Sequence, residues 1–217
     1  MKPAADLSVY LITDARLCAP RDVVEVAVAA ARGGARMIQL RDKGAPDEAL
    51  IRRGRILKAA LGRLGALLIV NDRVEVAAAI GADGVHVGQS DSEASVARNA
   101  MGPDAIIGLS IQNVAHAAAL DPEIVDYVGV GPVFSTTTKQ DHAPPLGFDG
   151  LARVCAASPV PAVAIGGLKT EHVAAVLGAG ARGLAVVSAI CAAPDPEIAA
   201  RRFAEAIRAN RKTAIQR

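Results

Sequence analysis

Tryptophan is absent from this sequence, and aromatic residues of all kinds make up only 2% of it. A core without large rings has to be built from Ala, Val, Ile and Leu, side chains that suit close packing of helices on strands. The same scarcity argues against a platform that stacks single-stranded bases on rings. Net charge is scarce too: +2 over 217 residues is too little for a general nucleic-acid binder, so any strong positive field must be local. Cysteine is limited to Cys18, Cys155 and Cys191, odd in number and far apart. With no C-x-x-C pair and no His/Cys cluster, they suggest neither a zinc site nor a disulfide framework, and free thiols in a reducing cytoplasm are the natural reading. No apolar run reaches the ~18–20 residues of a membrane span. The N-terminal "MKPAADLSVYLITD" is interrupted by Asp6 and reads as no signal peptide. These absences together point to a cytoplasmic chain that binds neither membrane nor nucleic acid.

What is present is a repeated unit. Short apolar runs at 8–13, 36–41, 66–71, 84–88, 105–110, 127–131, 161–166 and 183–188 alternate with Ala-rich stretches of helical period. Each run is rich in Val or Ile and apolar throughout its start, as a parallel strand buried on both faces should be. Their number, about eight, is that of a closed (β/α)₈ barrel. Helices are expected over Val23–Arg32, 47–64, Val74–Ile80, 92–101, 113–120, 149–157, 170–177 and 197–212. Asp22, Ser92, Asn113 and Thr170 stand where N-caps would. Gly33, Gly81, Gly102 and Gly178 stand where C′ glycines would. "GGAR", "GADG" and "GAGARG" each lead from a helix into a strand, the trace of a βα repeat. An open doubly wound sheet is the competing architecture, but it would place a Gly-rich turn after the first strand. Here that turn is "ITDARLCAP", without glycine. A single TIM-barrel domain spanning 1–217 is therefore expected.

Barrel enzymes carry their chemistry at the C-terminal ends of the strands. The segment "MIQLRDK" places Gln39, Arg41 and Lys43 at every second position. Extended geometry would aim all three at one point, giving an anion site; a strand end with solvated charges is the alternative. The third strand ends in Asn71-Asp72, the fourth brings His86 and then Gln89 and Asp91, and the fifth ends in Ser110. After the sixth comes the long "GPVFSTTTKQDHAPPLGFDG"; its span, 132–148, is long enough for a lid. Cations, acids, hydroxyls and glycines in this arrangement suit phosphorylated small molecules and a hard divalent cation. Mg²⁺ keeps waters and takes one or two carboxylates, such as Asp72 and Asp91. Arg41 can fork onto phosphate oxygens, while Lys43 and Lys139 act as point charges. A second anion site is suggested by "AIGGL" and "VVSAI", where Gly167 allows close backbone approach and Ser188 opens a short helical turn. Each group also has an ordinary structural use. Asp72 and Asp91 could cap the helices that follow them, His86 could be a satisfied core histidine, and the threonine run could be a polar loop.

"QLRDK" (39–43), "VND" (70–72), "DGVHVGQSD" (83–91), "IIGLS" (106–110), "YVGVGPVFSTTTK" (127–139), "IGG" (165–167) and "VVSAI" (186–190) together resemble the thiamine phosphate synthase family, in order and over nearly the whole chain. The resemblance implies a TIM barrel that joins 4-amino-5-hydroxymethyl-2-methylpyrimidine diphosphate to a thiazole phosphate, carboxylated or not. It implies that Gln39, Leu40, Arg41, Asp42 and Lys43, with Asn71, Ser110 and Lys139, bind the pyrimidine diphosphate. Arg41, Lys43, Ser110 and Lys139 would act on the departing diphosphate, and Asp72 and Asp91 would hold Mg²⁺. Thr136, Thr137, Thr138, Gly167, Val187 and Ser188 would bind the thiazole phosphate. The sequence departs from the family pattern at Ser90, Gln112 and Ser135, where an acid, a His and a Pro are common. A thiazole tautomerase, which needs neither metal nor diphosphate site, and a non-catalytic phosphate-sensing barrel are the alternatives. A homo-oligomer is compatible with the sequence.

Overall fold

The computed structural model describes residues 5–88, 94–136 and 144–215. Eight strands form a closed parallel barrel in chain order: β1 (Val9–Ile12), β2 (Met37–Leu40), β3 (Leu67–Asn71), β4 (Gly84–Val87), β5 (Ile106–Ile111), β6 (Tyr127–Val130), β7 (Ala162–Ile165) and β8 (Gly183–Val186), with β8 paired back onto β1. This is the expected TIM barrel, and every expected apolar run contains its strand except the fifth, where β5 continues one residue past the run, to Ile111. Helices pack outside: α1 (Ala15–Cys18), α2 (Val23–Arg32), α3 (Asp47–Gly62), α4 (Val74–Ile80), α5 (Ala94–Met101), α6 (Val114–Ala118), α7 (Gly147–Ala157), α8 (Val173–Gly178), α9 (Ser188–Cys191) and α10 (Pro196–Ile215). No helix among the described residues is long and apolar enough to cross a membrane.

Two cores follow from the strands' period of two. Outward side chains such as Val9, Leu11, Ile38 and Leu40 pack with Ala27, Ala30, Leu57 and Phe203 of the helices. Inward side chains form a second, smaller core of Tyr10, Met37, Ile69, Ile106, Tyr127, Val163 and Ala185. The barrel is thus filled, and both tyrosines of the chain sit in this interior core. At the N-terminal face, acids just ahead of strands lock neighbouring units together. Asp83 accepts from the Leu68 N–H at 2.8 Å and pairs with Lys58. Asp126 accepts from the Ile107 N–H at 2.7 Å and pairs with Arg98 at 2.7 Å.

The local signals were mostly sound. Asp22 caps α2 in a reciprocal capping box with Glu25, and Asn113 caps α6 through the His116 N–H. Thr170 does not cap: a 3₁₀ turn (Thr170–His172) precedes α8, and Lys169 is the residue that enters it. Gly81 is left-handed and Gly102 also has positive φ, but Gly33 does not, and Gly178 belongs to α8 itself. The positive φ falls one and two residues later, at Gly34 and Gly180, where the chain turns into the next strand. Ser92 lies outside the described residues. The three cysteines are free thiols, as expected. Cys18 and Cys191 are buried, and the Cys191 thiol donates to the Ile12 carbonyl at 3.6 Å.

Candidate active site

Inward positions continue upward beyond the interior core and open into a cavity at the C-terminal ends of the strands. Ile12, Gln39, Asn71, Ser110, Ile165 and Val187 each follow the inward alternation of their strand, and all line it. Its volume is about 140 Å³. A water needs roughly 10–15 Å³ on that measure, so there is room for a small organic molecule rather than a bound solvent.

The β2 side of the mouth carries the cations. Gln39 is buried within the strand, whereas Arg41 and Lys43 lie past its end, and the three still line one cavity. Two neighbours hold this edge. Thr13, fully buried, donates its hydroxyl to the Gln39 carbonyl at 3.1 Å and accepts from the Arg41 N–H at 3.1 Å. Arg73 donates to the carbonyls of Lys43 (3.0 Å) and Ala45 (2.7 Å) and pairs with Asp47 at 2.6 Å, pinning the loop that carries Lys43. Sequence reasoning missed both: neither a Thr before a loop nor an Arg opening a helix announces a partner 26 to 30 residues away. Leu40 faces the helices and is 1% exposed. Asp42 turns to Arg53, 3.3 Å away, and to the Gly44 N–H. Neither side chain lines the cavity, although both were expected to bind the pyrimidine diphosphate, and Asp42 has a local structural use.

The β3 side supplies the acid. Asp72 does not cap α4: Arg73 occupies that position and no side chain caps the helix. Instead Asp72 sits at φ 63°, the one non-glycine residue with positive φ among those described. Asp tolerates this region better than most, yet at a cost, and such outliers concentrate where a side chain must be aimed. Its Oδ2 accepts from Asn71 Nδ2 at 2.6 Å and lies 3.6 Å from Lys43 Nζ. Carboxylate, amide and ammonium therefore meet at one rim of the cavity.

The opposite rim is built from backbone. Gly166 and Gly167 have φ 105° and 62°. A Cβ on Gly167 would lie 2.9 Å from both Phe134 Cβ and the Ser135 carbonyl oxygen, so only glycine lets this turn pass the loop after β6. Val187 enters α9, and Ser188 begins it. Both line the cavity with Gly167 and Thr136. Asp91, Thr137, Thr138 and Lys139 lie outside the described residues, as does most of the 132–148 loop's centre.

Beneath the cavity runs a buried polar chain that no local motif signals. Gln39 Nε2 donates to Tyr10 Oη (2.8 Å), Tyr10 Oη meets Tyr127 Oη (2.8 Å), Tyr127 Oη meets His86 Nδ1 (2.9 Å), and His86 Nε2 meets Ser110 Oγ (3.0 Å). Burial pushes both phenols upward in pKa, so both keep their protons. His86 is the satisfied core histidine that an apolar strand suggests, but it also reaches the cavity wall. Gly108 makes room for it, since a Cβ there would collide with the Tyr127 ring and His86 Nδ1.

Comparison with known proteins gives a consistent picture. Residues 9–190 match the family model described as thiamine monophosphate synthase. A thiamine-phosphate synthase from Xanthobacter autotrophicus is 52% identical over 95% of this chain and 98% of its own. One from Azorhizobium caulinodans is 48% identical over 95% and 98%. Among solved structures, thiamine phosphate pyrophosphorylase from Pyrococcus furiosus superposes with a TM-score of 0.86 at 36% identity, covering 94% of this chain and 97% of that one. A 3-hexulose-6-phosphate synthase, 20% identical with a TM-score of 0.68, shares the fold.

Proposed function

This chain belongs to the thiamine monophosphate synthase family and is a transferase of thiamine biosynthesis, and from that premise we propose how its barrel mouth divides the work between two phosphorylated substrates. The β2–β3 rim takes the pyrimidine diphosphate. Arg41 and Lys43 bind the diphosphate, Asn71 and Ser110 complete its surroundings, and Gln39 faces the aminopyrimidine ring. The β7–β8 rim, with Gly167, Val187, Ser188 and Thr136, cradles the thiazole phosphate through backbone N–H groups and hydroxyls. Lys139, Thr137 and Thr138 extend these two sites in the proposal. The observation that carries it is the convergence itself: ten residues assigned from separate motifs line one cavity, cations and acid on one side and glycine turns on the other.

The donor set fits Mg²⁺. Among the described residues no cluster of three His, Cys, Asp or Glu could hold a metal ion. A Mg²⁺ ion that shares a diphosphate needs only one or two carboxylates, and Asp72 offers a hard oxygen beside Lys43. Asp72 and Asp91 would hold it. When bound, the ion supplies charge neutralisation on the diphosphate.

The residues then have defined tasks. The bond from the pyrimidine methylene carbon to the diphosphate oxygen breaks, and the aminopyrimidine stabilises the resulting cation. Arg41 and Lys43 stabilise the negative charge that accumulates on the leaving group, where preorganised cations have their largest effect. The thiazole nitrogen attacks the same carbon, and the phosphate cradle fixes its line of approach. No side-chain nucleophile is required. An isomerase of the thiazole alone, or a phosphate-sensing barrel, would leave Arg41, Lys43 and Asp72 without a use. The test is direct: both substrates are mixed with the protein, with and without Mg²⁺, and thiamine phosphate is measured. Formation that ignores Mg²⁺ would remove the metal assignment from Asp72.

A further inference from the structure

The buried chain beneath the cavity has a property that its separate contacts do not. Each phenol has one proton and each imidazole nitrogen is either donor or acceptor, so the order of protons is set from one end. Gln39 Nε2 can only donate, so Tyr10 Oη accepts there. Tyr10 must then place its own proton on Tyr127 Oη, its other partner. Tyr127 donates onward to His86 Nδ1, which leaves the His86 proton on Nε2, directed at Ser110 Oγ. Ser110 accepts and keeps its own proton to give. With Gln39 donating, the opposite order would strand the Tyr10 proton without an acceptor in a fully buried site, an arrangement that buried polar groups avoid.

We propose that Tyr10, Tyr127 and His86 are positioning residues that transmit hydrogen-bond polarity across the barrel, so that Gln39 presents an acceptor to the cavity whenever Ser110 presents a donor. The consequence for recognition rests on the assignment of the pyrimidine diphosphate to this rim. A ligand that carries an exocyclic amine on one side and an oxygen-rich leaving group on the other matches that acceptor–donor pair. A ligand of reversed polarity has to turn the whole chain at once, not one side chain. Both tyrosines and the histidine thus contribute to specificity without touching the reacting atoms.

The proton on His86 is directly readable by ¹⁵N-histidine labelling and long-range ¹H–¹⁵N correlation, with the His86 signals identified by their loss in a His86→Gln sample. The unaltered protein is expected to show the Nε2–H tautomer; finding Nδ1–H there overturns the proposal without any variant of the chain. At pH 8, Gln39→Glu replaces the donor with a carboxylate that accepts from Tyr10. His86, three hydrogen bonds away, should exchange its Nδ1 and Nε2 resonances as the order reverses. With Tyr127→Phe also present the chain is cut, and Gln39→Glu should no longer move the tautomer. An unmoved tautomer in Gln39→Glu, or one that moves equally in the Tyr127→Phe background, rejects the relay. No substrate is needed, so a failed pyrimidine assignment and a failed relay give different results: the first appears in substrate calorimetry and the second only in this spectrum.

Discussion

The two ends of this barrel use the same residue types to opposite purposes. At the N-terminal face Asp83 and Asp126 each take a backbone N–H and a cation from the helix layer. Their carboxylates are satisfied by the fold and hold β3 to β4 and β5 to β6. At the C-terminal face Asp72 also meets an amide and a cation, but on a left-handed backbone and beside a lysine whose side chain is 58% exposed. The first arrangement closes an ion pair; the second sits on the cavity wall, where we propose that a ligand binds. The difference teaches that pairing alone does not separate structural from functional acids. What separates them is backbone strain and the exposure of the partner.

The sharpest way to break this comparison is Asp72→Gly. Glycine accepts φ 63° without strain, so thermal unfolding should stay level or move slightly upward. Thiamine phosphate formation should fall on the order of 10³-fold, the scale of losing one group that stabilises developing charge. A large drop in melting temperature would make Asp72 a structural acid like the other two. Asp126→Ala should do the reverse. Its partner Arg98 has a side chain only 13% exposed and would be left with one fewer acceptor, as would the Ile107 N–H. Urea denaturation should report a loss of about 3 kcal/mol, with turnover per folded molecule unchanged.

Within the C-terminal face the comparison sharpens into two rims. Arg41→Ala should weaken binding of the pyrimidine diphosphate about tenfold or more, as removal of a charge-assisted contact does, and leave the thiazole phosphate within twofold. Calorimetry with each substrate alone measures both. Equal losses would merge the two rims into one site.

How much of this was legible beforehand depends on the range of the interaction. The barrel could be read because each strand is an apolar run punctuated by the same helix-to-strand turns, and Gln39, Arg41 and Lys43 could be aligned because period two is a local rule. Asp72 was ambiguous, since a residue before a helix reads equally as a cap; only its φ and the uncapped α4 decide it. Leu40 and Asp42 came in with their motif, yet their side chains face the helix layer and Arg53. The tyrosine relay was not legible at all. Tyr10 and Tyr127 are 117 residues apart, and each looks like an ordinary core ring in its own strand.

The smallest effect belongs to the other end of the barrel and tests whether its two acids are equivalent. Lys58 pairs with Asp83, but its side chain is 34% exposed, so water already serves much of its charge. An exposed or half-exposed pair contributes roughly 0–1 kcal/mol. Asp83 also keeps its bond to the Leu68 N–H when the lysine is removed. Lys58→Met retains the aliphatic stem and should therefore cost under about 1 kcal/mol in urea, well below Asp126→Ala, with catalysis untouched. A loss as large as that of Asp126→Ala would mean that the cations, not the backbone bonds, fasten this face. The strands would then be held to one another chiefly through the helix layer.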